Sequence, residues 1–599
     1  MSQTASSRRH PDRWSLDSYF TAFGSPDYTA FKAALQSELE ECLSSLMTRE
    51  DISAPDVAML ESLGSRLGHL SSFLGCLSAD DATNEAVKAD EAWLSMLGAT
   101  MTKIASTVQS RLAALDATAS ATLLADPSLE GAGHAVNRLR EEGRHLMPAP
   151  LEALAADLNV DGLHAWGRLY DTLTGKLTFP MTFPDGSIQT IPMAQRRALM
   201  ADPNREIREA AFRDGQVPWD THADTFGAAL NGIAGTRLGL YTRRGITHFL
   251  QTPLFDGALS RETLDAMMTA IRAESSLPHR ALRAAARLQG TPALHFFDLE
   301  APQIAAPEGL SVSWDDACDI VRRSFHAAYP ALGEYFDSML ENRWIEAQPR
   351  LGKRPGAFCT GSHFTGEQRV YMTYHDTIHD VVTLAHEVGH AWHSHVLKDR
   401  RPFAREYPMT LAETASNFGE MILLDGLQRD ASSSPELLDY LLDQEMNRAH
   451  SYLVNIPMRY EFERAFYEER ASGEISVSRL RALMNAAQRE LYGDTLLPDG
   501  SDPFFWASKM HFFITGISFY NFPYVFGYLL SQALFARFKA EGASFLPRYE
   551  AFLGATGSAD CETVVRQTLG EDITRPEFWA TAIRALAPAV ERYEALSAR

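Results

Sequence analysis

The stretch TLAHEVGHAWHSH, residues 383–395, places four histidines and one glutamate within thirteen residues. His386 and His390 are four positions apart. On a helix they stand one turn apart on one face, about 6 Å along the axis. Two imidazoles so placed can converge on one cation at about 2.0–2.1 Å. Glu387 is one position further on and points to the side. It cannot easily share that ion, but it can reach a water bound to it. The spacing is HExxH, two ligands and a general base. The flanks VVTL and VGHAW supply the apolar positions of a buried helix, and Asp376 or Thr377 can cap its start.

His393 shares a face with His386 but lies about 10 Å further along the axis. That is too far for ligands of one tetrahedral ion, and no glycine occupies the place at which HExxHxxGxxH breaks the helix. His393 and His395 therefore read as packing or orienting groups. The third ligand is expected from the next helix, PMTLAETASNFGEMILLDGL (408–427), with Pro408 ahead of it and Thr410 as its cap. That helix offers Glu413 and Glu420, seven apart and on one face. Glu413 as ligand gives a His2Glu set with a fourth position open for water. Glu420, Ser416 and Asn417 are candidates to orient His386 or His390. The expected cofactor is one zinc ion per chain, although the same donors accept cobalt or manganese.

These groups need a frame. With 599 residues the chain exceeds one small core, so two or more domains or one large helical body are expected. Residues 13–125 read as long amphipathic helices, for example FKAALQSELEECLSSLM. KLTFPMTFPDGSIQTIPM (176–193) changes period around the turn signal PDGS and reads as a β-hairpin. A helix over DPNREIREAAFRDG follows, with Asp202 as cap and Pro203 in its first turn. Helices continue to 345, apart from LHFFDLEAP (294–302), read as a short strand or an extended entry into a loop. GAFCT (356–360) and RVYMTY (369–374) are two short strands just ahead of the HExxH helix, and the remainder is helical. The boundary is placed near 200, giving an N-terminal helical domain over 1–200 and a catalytic domain over 201–599.

The formal net charge of −22 argues against a nucleic-acid binder, which needs basic surface. No apolar run reaches the length of a membrane span. The opening MSQTASSRRHPDRWSLDSYF has basic residues but no apolar run after them, so it does not read as a secretory leader. Five scattered cysteines without a CxxC pair favour a reducing cytoplasm over a disulfide framework.

HEVGHAWHSH followed by LAETASNFGE resembles the oligoendopeptidase F branch of the thimet-oligopeptidase family of zinc metallopeptidases. KRPGAFCTGS (353–362), FFDLEAP (296–302), YNFPYVFGYLLS (520–531) and RWSLDSYF near the N-terminus are similar to further motifs of that branch, in the expected order. The resemblance implies a mainly α fold, a helical clamshell or bowl with a deep substrate channel. A zincin-type site lies at its floor beside a small β-sheet. It implies internal cleavage of short oligopeptides, with folded proteins excluded. It assigns His386, His390 and Glu413 to zinc and makes Glu387 the base. In HFFITGISFYNFPYVFGY it implies a catalytic histidine at His511 and oxyanion-facing tyrosines, with Tyr528 the best match. Tyr524 and Tyr520 are the other candidates, and Tyr520 is also a candidate substrate contact. Without the resemblance, tyrosines spaced i, i+4 and i+8 would read as core.

Gly356, Ala357 and Phe358 open the GAFCT strand, whose backbone can accept an extended peptide as an added strand. Cys359 in that strand reads as a small packed residue. Two other functions are consistent with the motifs. One is a zinc carboxypeptidase, with Lys353 or Arg354 clamping the terminal carboxylate. The other is a catalytically silent peptide-binding protein.

Overall fold

The computed structural model describes residues 9–598; residues 1–8, which open the stretch read for a leader, and residue 599 lie outside it. The fold is mainly helical. Contacts divide the chain into two compact units that alternate along the sequence. The first contains the chain through Leu146, Gly309–Ser432 and Leu534–Glu571. The second contains Met147–Glu308, Ser433–Ala533 and Asp572 onward. No helix among the described residues is long and apolar enough to cross a membrane.

In the first unit the helices Pro26–Met47, Ala54–Asp80 and Glu85–Ala114 pack around Leu35, Leu39, Leu63, Leu70, Phe73, Ile104 and Val108. These residues recur at helical spacing, so each helix turns one apolar stripe inward. Ser53 with Asp56 forms a capping box, and the Asn84 side chain accepts from two backbone N–H groups. Both satisfy donors that the first helical turn leaves unpaired.

The second unit carries the hairpin, strands β1 (Thr178–Thr182) and β2 (Ile188–Pro192), paired antiparallel. After it come the short helix Met193–Leu199 and then a helix from Arg205 to Thr221, whose cap is Asn204, which accepts from Glu206 N–H. The expected cap, Asp202, instead accepts from Asn204 N–H at 2.8 Å, so Pro203 lies ahead of the helix. LHFFDLEAP forms a 3₁₀ turn over Phe296–Asp298, and only Leu294 makes a strand-like bridge, to Leu496.

The sheet that positions the HExxH helix lies in the first unit. It has three strands, β3 (Ile345–Glu346), β4 (Phe358–Gly361) and β5 (Gln368–Tyr371), in the order β3-β5-β4. β3 is parallel to β5, and β4 is antiparallel to it. β3 has two residues, too few for a period-2 pattern to reveal. β4 is an edge strand.

Candidate metal centre and active site

The HExxH helix runs from Ile378 to Val396 and packs on β4 and β5. Thr377 caps it: its hydroxyl accepts from Asp380 N–H at 3.1 Å, and Asp380 accepts in return from Thr377 N–H at 3.3 Å. Asp376, the other cap candidate, has a left-handed φ of +59°. The following helix, Met409–Arg429, begins directly after Pro408. Thr410 does not cap it. It is fully buried, with its hydroxyl 3.3 Å from Cys561 Sγ.

These two helices cross at glycine. A Cβ on Gly389 would stand 2.5 Å from the Ala415 carbonyl oxygen and 2.7 Å from Ser416 Cα. A Cβ on Gly419 would stand 2.8 Å from the Ala385 carbonyl oxygen. Hydrogen at both positions lets the backbones touch, which brings the carboxylates of one helix to the imidazoles of the other.

One donor atom each from His386, His390 and Glu413 lies within 4.8 Å of the others. Glu413 Oε2 is 3.5 Å from His386 Nε2 and 3.7 Å from His390 Nε2, and the two Nε2 atoms are 3.2 Å apart. Glu420 Oε1 is 2.6 Å from His386 Nδ1. It orients that ring so that Nε2 faces the group. His390 is anchored on the Ala412 backbone carbonyl. Ser416 donates to Glu413 Oε2 at 3.0 Å, so it orients the carboxylate rather than an imidazole. Asn417 is buried, and its Nδ2 meets no acceptor among the described residues.

Glu387 is 6% exposed, and its Oε2 has no hydrogen-bond partner among the described residues. Burial pushes its carboxyl up to about 7, against the pull of His386 and with further push from Glu413 and Glu420. Burial pulls His386 down, but the hydrogen bond and charge of Glu420, with Glu413 and Glu387 behind it, raise it to about 9. Burial, with His386 and His393 next to it, pushes His390 well down. The donor set fits a dication: two imidazole nitrogens and a carboxylate converge, a second carboxylate orients one ring, and the surrounding charge is negative.

His393 and His395 take no part in this group. His393 is fully buried, stacked on Tyr407 at 4.0 Å and hydrogen-bonded to Thr556 Oγ1 at 2.8 Å. His395 stacks on Trp392. Lys353 is consumed by structure, donating to the Met372 carbonyl at 2.6 Å and the Gln348 carbonyl at 3.1 Å beside buried Glu346. Arg354 donates to Ser78 Oγ at 2.5 Å.

β4 lies against the HExxH helix. Gly356, with φ +102°, makes the turn into it, a conformation L side chains rarely adopt. The bond from Ser362 N–H to the Glu367 carbonyl, 3.0 Å, fixes the phase of the ladder. Phe358 and Thr360 turn their backbone polar groups to β5, while Ala357, Cys359 and Gly361 turn theirs to the open edge. The Phe358 ring stacks on Tyr371 at 4.9 Å. Burial, with Glu387 nearby, pushes the Cys359 thiol well above its usual range, so it is no reactive thiolate.

In the second unit His511, Tyr520 and Tyr524 form one aromatic group. His511 stacks on Tyr520 at 5.8 Å, and Tyr524 meets Tyr520 edge-on at 5.3 Å. Tyr528 is not part of it. It is buried and stacked on Tyr452 at 4.4 Å, and burial raises its hydroxyl above the usual range. His511 Nδ1 is buried without a partner among the described residues. Burial and the cations Arg459, Lys509 and Arg197 pull His511 down to about 4, so near neutrality it is an uncharged N–H donor.

Two residues with no local sequence signal hold the loop that carries this group. Arg237 Nη2 donates to the carbonyls of Ile514 (3.1 Å), Thr515 (3.0 Å) and Ile517 (3.0 Å). Glu463 accepts from Phe519 N–H at 2.9 Å and Asn521 Nδ2 at 2.7 Å. Between them Phe519 is held at φ +56°, strained for a bulky side chain.

A model of peptidase family M3 matches residues 198–584, and one described as oligopeptidase F matches residues 111–179. The chain is 25% identical over 472 residues to oligopeptidase PepF of Bacillus subtilis, covering 77% of this chain and 68% of that protein. It is 24% identical over 438 residues to an oligoendopeptidase F homolog of Lactococcus lactis, covering 72% and 71%. Among solved structures, a putative peptidase from Chlamydophila abortus superposes with a TM-score of 0.81 at 21% identity, covering 98% of each chain. Oligoendopeptidase-F from Enterococcus faecium gives 0.70 at 18% identity, covering 95% of this chain and 98% of that one. At these identities the structural likeness speaks for the fold.

Proposed function

The chain belongs to peptidase family M3, and on that premise we propose that it is a zinc-dependent endopeptidase that hydrolyses internal bonds of short oligopeptides in a reducing cytoplasm. The carrying observation is the convergence of His386, His390 and Glu413 next to a buried glutamate, Glu387, with an unpartnered oxygen. His386, His390 and Glu413 would hold one zinc ion. When bound, zinc polarises a scissile carbonyl and acidifies water.

The chain's own residues supply the rest. Glu387 takes a proton from the attacking water and passes it to the leaving amine. Its raised pKa of about 7 suits a group that must both accept and return a proton. Glu420 holds the His386 ring by Nδ1, and Ser416 holds Glu413. The open edge of β4, at Ala357, Cys359 and Gly361, pairs with extended peptide backbone, which gives affinity with little sequence demand. His511, with Tyr520 and Tyr524 rather than the buried Tyr528, is the proposed donor group for the oxyanion; removing one such donor typically costs about 10²–10³ in rate. The catalytic portion is taken as 201–599.

The test is mass mapping of products from a mixed oligopeptide set, with Glu387→Gln run beside the wild-type protein. Internal cuts by the wild type, with the variant slowed about 10²–10⁴-fold at unchanged zinc content, are expected. Cuts confined to the last residues would replace this reading by a carboxypeptidase. Zinc binding without cuts by either protein would replace it by a peptide-binding protein.

A further inference from the structure

The segment 397–408 joins the helix that carries His386 and His390 to the helix that carries Glu413. It is held from the N-terminal helices of the same unit. Glu61, on the helix Ala54–Asp80, stands 340 positions ahead of Arg401. Arg401 Nε donates to Glu61 Oε1 at 2.9 Å, Arg401 Nη2 donates to Oε2, and Phe403 N–H donates to Oε1 at 2.7 Å. Arg401 completes the clamp with Nη1 on the Glu130 carbonyl at 2.6 Å and Nη2 on the Ser128 carbonyl at 3.3 Å. The Phe403 ring packs against the core of that helical bundle. Glu61 is buried, and a two-pronged guanidinium–carboxylate pair fixes orientation as well as charge.

The segment carries this hold to the metal-ligand group. Pro402–Ala404 is a 3₁₀ turn. Arg405 Nε donates back to the Arg400 carbonyl at 2.6 Å, and its Nη1 donates to the His363 carbonyl at 2.9 Å, which ties the segment to the chain just past β4. Tyr407 then stacks on His393 of the HExxH helix. After Pro408 the next helix begins at Met409 without a side-chain cap. Glu413 lies between this uncapped start and the crossing, where Ala415 and Ser416 meet Gly389. A helix start with no cap leaves its first N–H groups unpaired and frays readily. What fixes the segment ahead of that start therefore fixes Glu413.

We propose that Glu61 is a positioning residue of the metal centre: with Arg401 it fixes the segment 397–408, and through that segment the carboxylate of Glu413. The inference rests on the zinc reading given above. It assigns part of the metal centre to the N-terminal helices, outside the portion taken as catalytic. A ligand carboxylate whose support is removed binds its ion more weakly; partners that orient metal ligands typically contribute about 10–100-fold in affinity.

The test measures the zinc affinity of the full chain by competition with a chelator, well below the melting temperature of each variant. Glu61→Gln and Arg401→Gln are each expected to weaken zinc binding about tenfold. The double variant is expected to weaken it no further than one of them alone, because the two residues act as a unit. Glu38→Gln is the control. It breaks the Arg66–Glu38 pair, which joins the helix Pro26–Met47 to the helix that carries Glu61, and it is expected to keep wild-type zinc affinity. Should Glu61→Gln not fold, the double variant decides in its place, since it leaves neither charge buried alone. Variants that melt earlier but bind zinc as the wild-type protein does would show a purely structural clamp and overturn the proposal. Equal weakening by Glu38→Gln would trace the effect to a softened helical bundle and overturn it as well. A wild-type protein that binds no zinc would overturn the metal reading itself, and this inference with it.

Discussion

Three carboxylates surround two imidazoles in the first unit, and their surroundings give them different work. Glu413 points between the two Nε2 atoms. Glu420 takes the far side of His386. Glu387 is buried without a partner for Oε2 among the described residues and rises to about 7. Burial without a hydrogen bond is what sets Glu387, the proposed base, apart from Glu413, the proposed ligand. Glu420 sets the orientation and tautomer of His386, so Glu420→Ala is expected to weaken metal binding about 10–100-fold. Competition with a chelator would measure this. Zinc affinity equal to that of the wild-type protein would remove Glu420 from the site.

The two helices that carry these residues are placed by Gly389 and Gly419. HEVGH supplies two of the proposed ligands, but it is the glycine within it that lets the neighbouring helix approach. Gly389→Ala would push a methyl group into the Ala415 carbonyl and the Ser416 backbone, and neither is a flexible side chain that can swing away. The expected cost is about 1–3 kcal/mol of stability and a loss of zinc affinity, because Glu413 moves off His386 and His390. Thermal melts with metal titration would check it; full affinity in the variant would mean that the crossing tolerates a methyl group. The loop 514–521 is the equivalent device in the second unit. Arg237 and Glu463 tie its carbonyls and N–H groups and keep Phe519 in a left-handed conformation beside Tyr520.

At the scale of the molecule, ligand binding and proton binding both register as stability. The proposed zinc, held only by the folded chain, would stabilise it by about 2.7 kcal/mol at a hundredfold excess over Kd. Chelation is therefore expected to lower the melting temperature, and added zinc to restore it; an unchanged melt would argue that no metal is bound in the folded state. The second lever is Glu463, which burial raises to about 7 against the hydrogen bonds of Phe519 and Asn521 and the charge of Arg237. An unfolded glutamate ionises near 4.5, so between these values the folded protein keeps a proton that the unfolded chain has released. The stability this gives is fully present below about 4.5 and is lost as pH rises through about 7. Relative to Glu463→Gln, which cannot ionise, the wild-type protein is expected to lose on the order of 2–3 kcal/mol between pH 5 and 8. Denaturant midpoints across that range would test it, and a constant difference would show that Glu463 is ionised throughout.

The sequence by itself determined the local chemistry. HExxH, the helix with Glu413 and Glu420, a cap at Asp376 or Thr377 and the β signals before the motif all depend on spacing along one helix or strand, and that spacing is carried by neighbours in the chain. Family membership was legible for the same reason, since its motifs are short and ordered. Caps at 202 and 410 were misplaced because several polar residues compete at a helix start and packing chooses among them: Asn204 takes one, and Thr410 is buried by Cys561. Only the tertiary structure decided which backbone groups of β4 face the open edge, which tyrosines join His511, and that Arg237 and Glu463 matter at all. Those facts depend on residues far apart in the chain meeting in space. Arg237 and Glu463 reach the 514–521 loop from distant helices, and no period within a helix or strand carries that information.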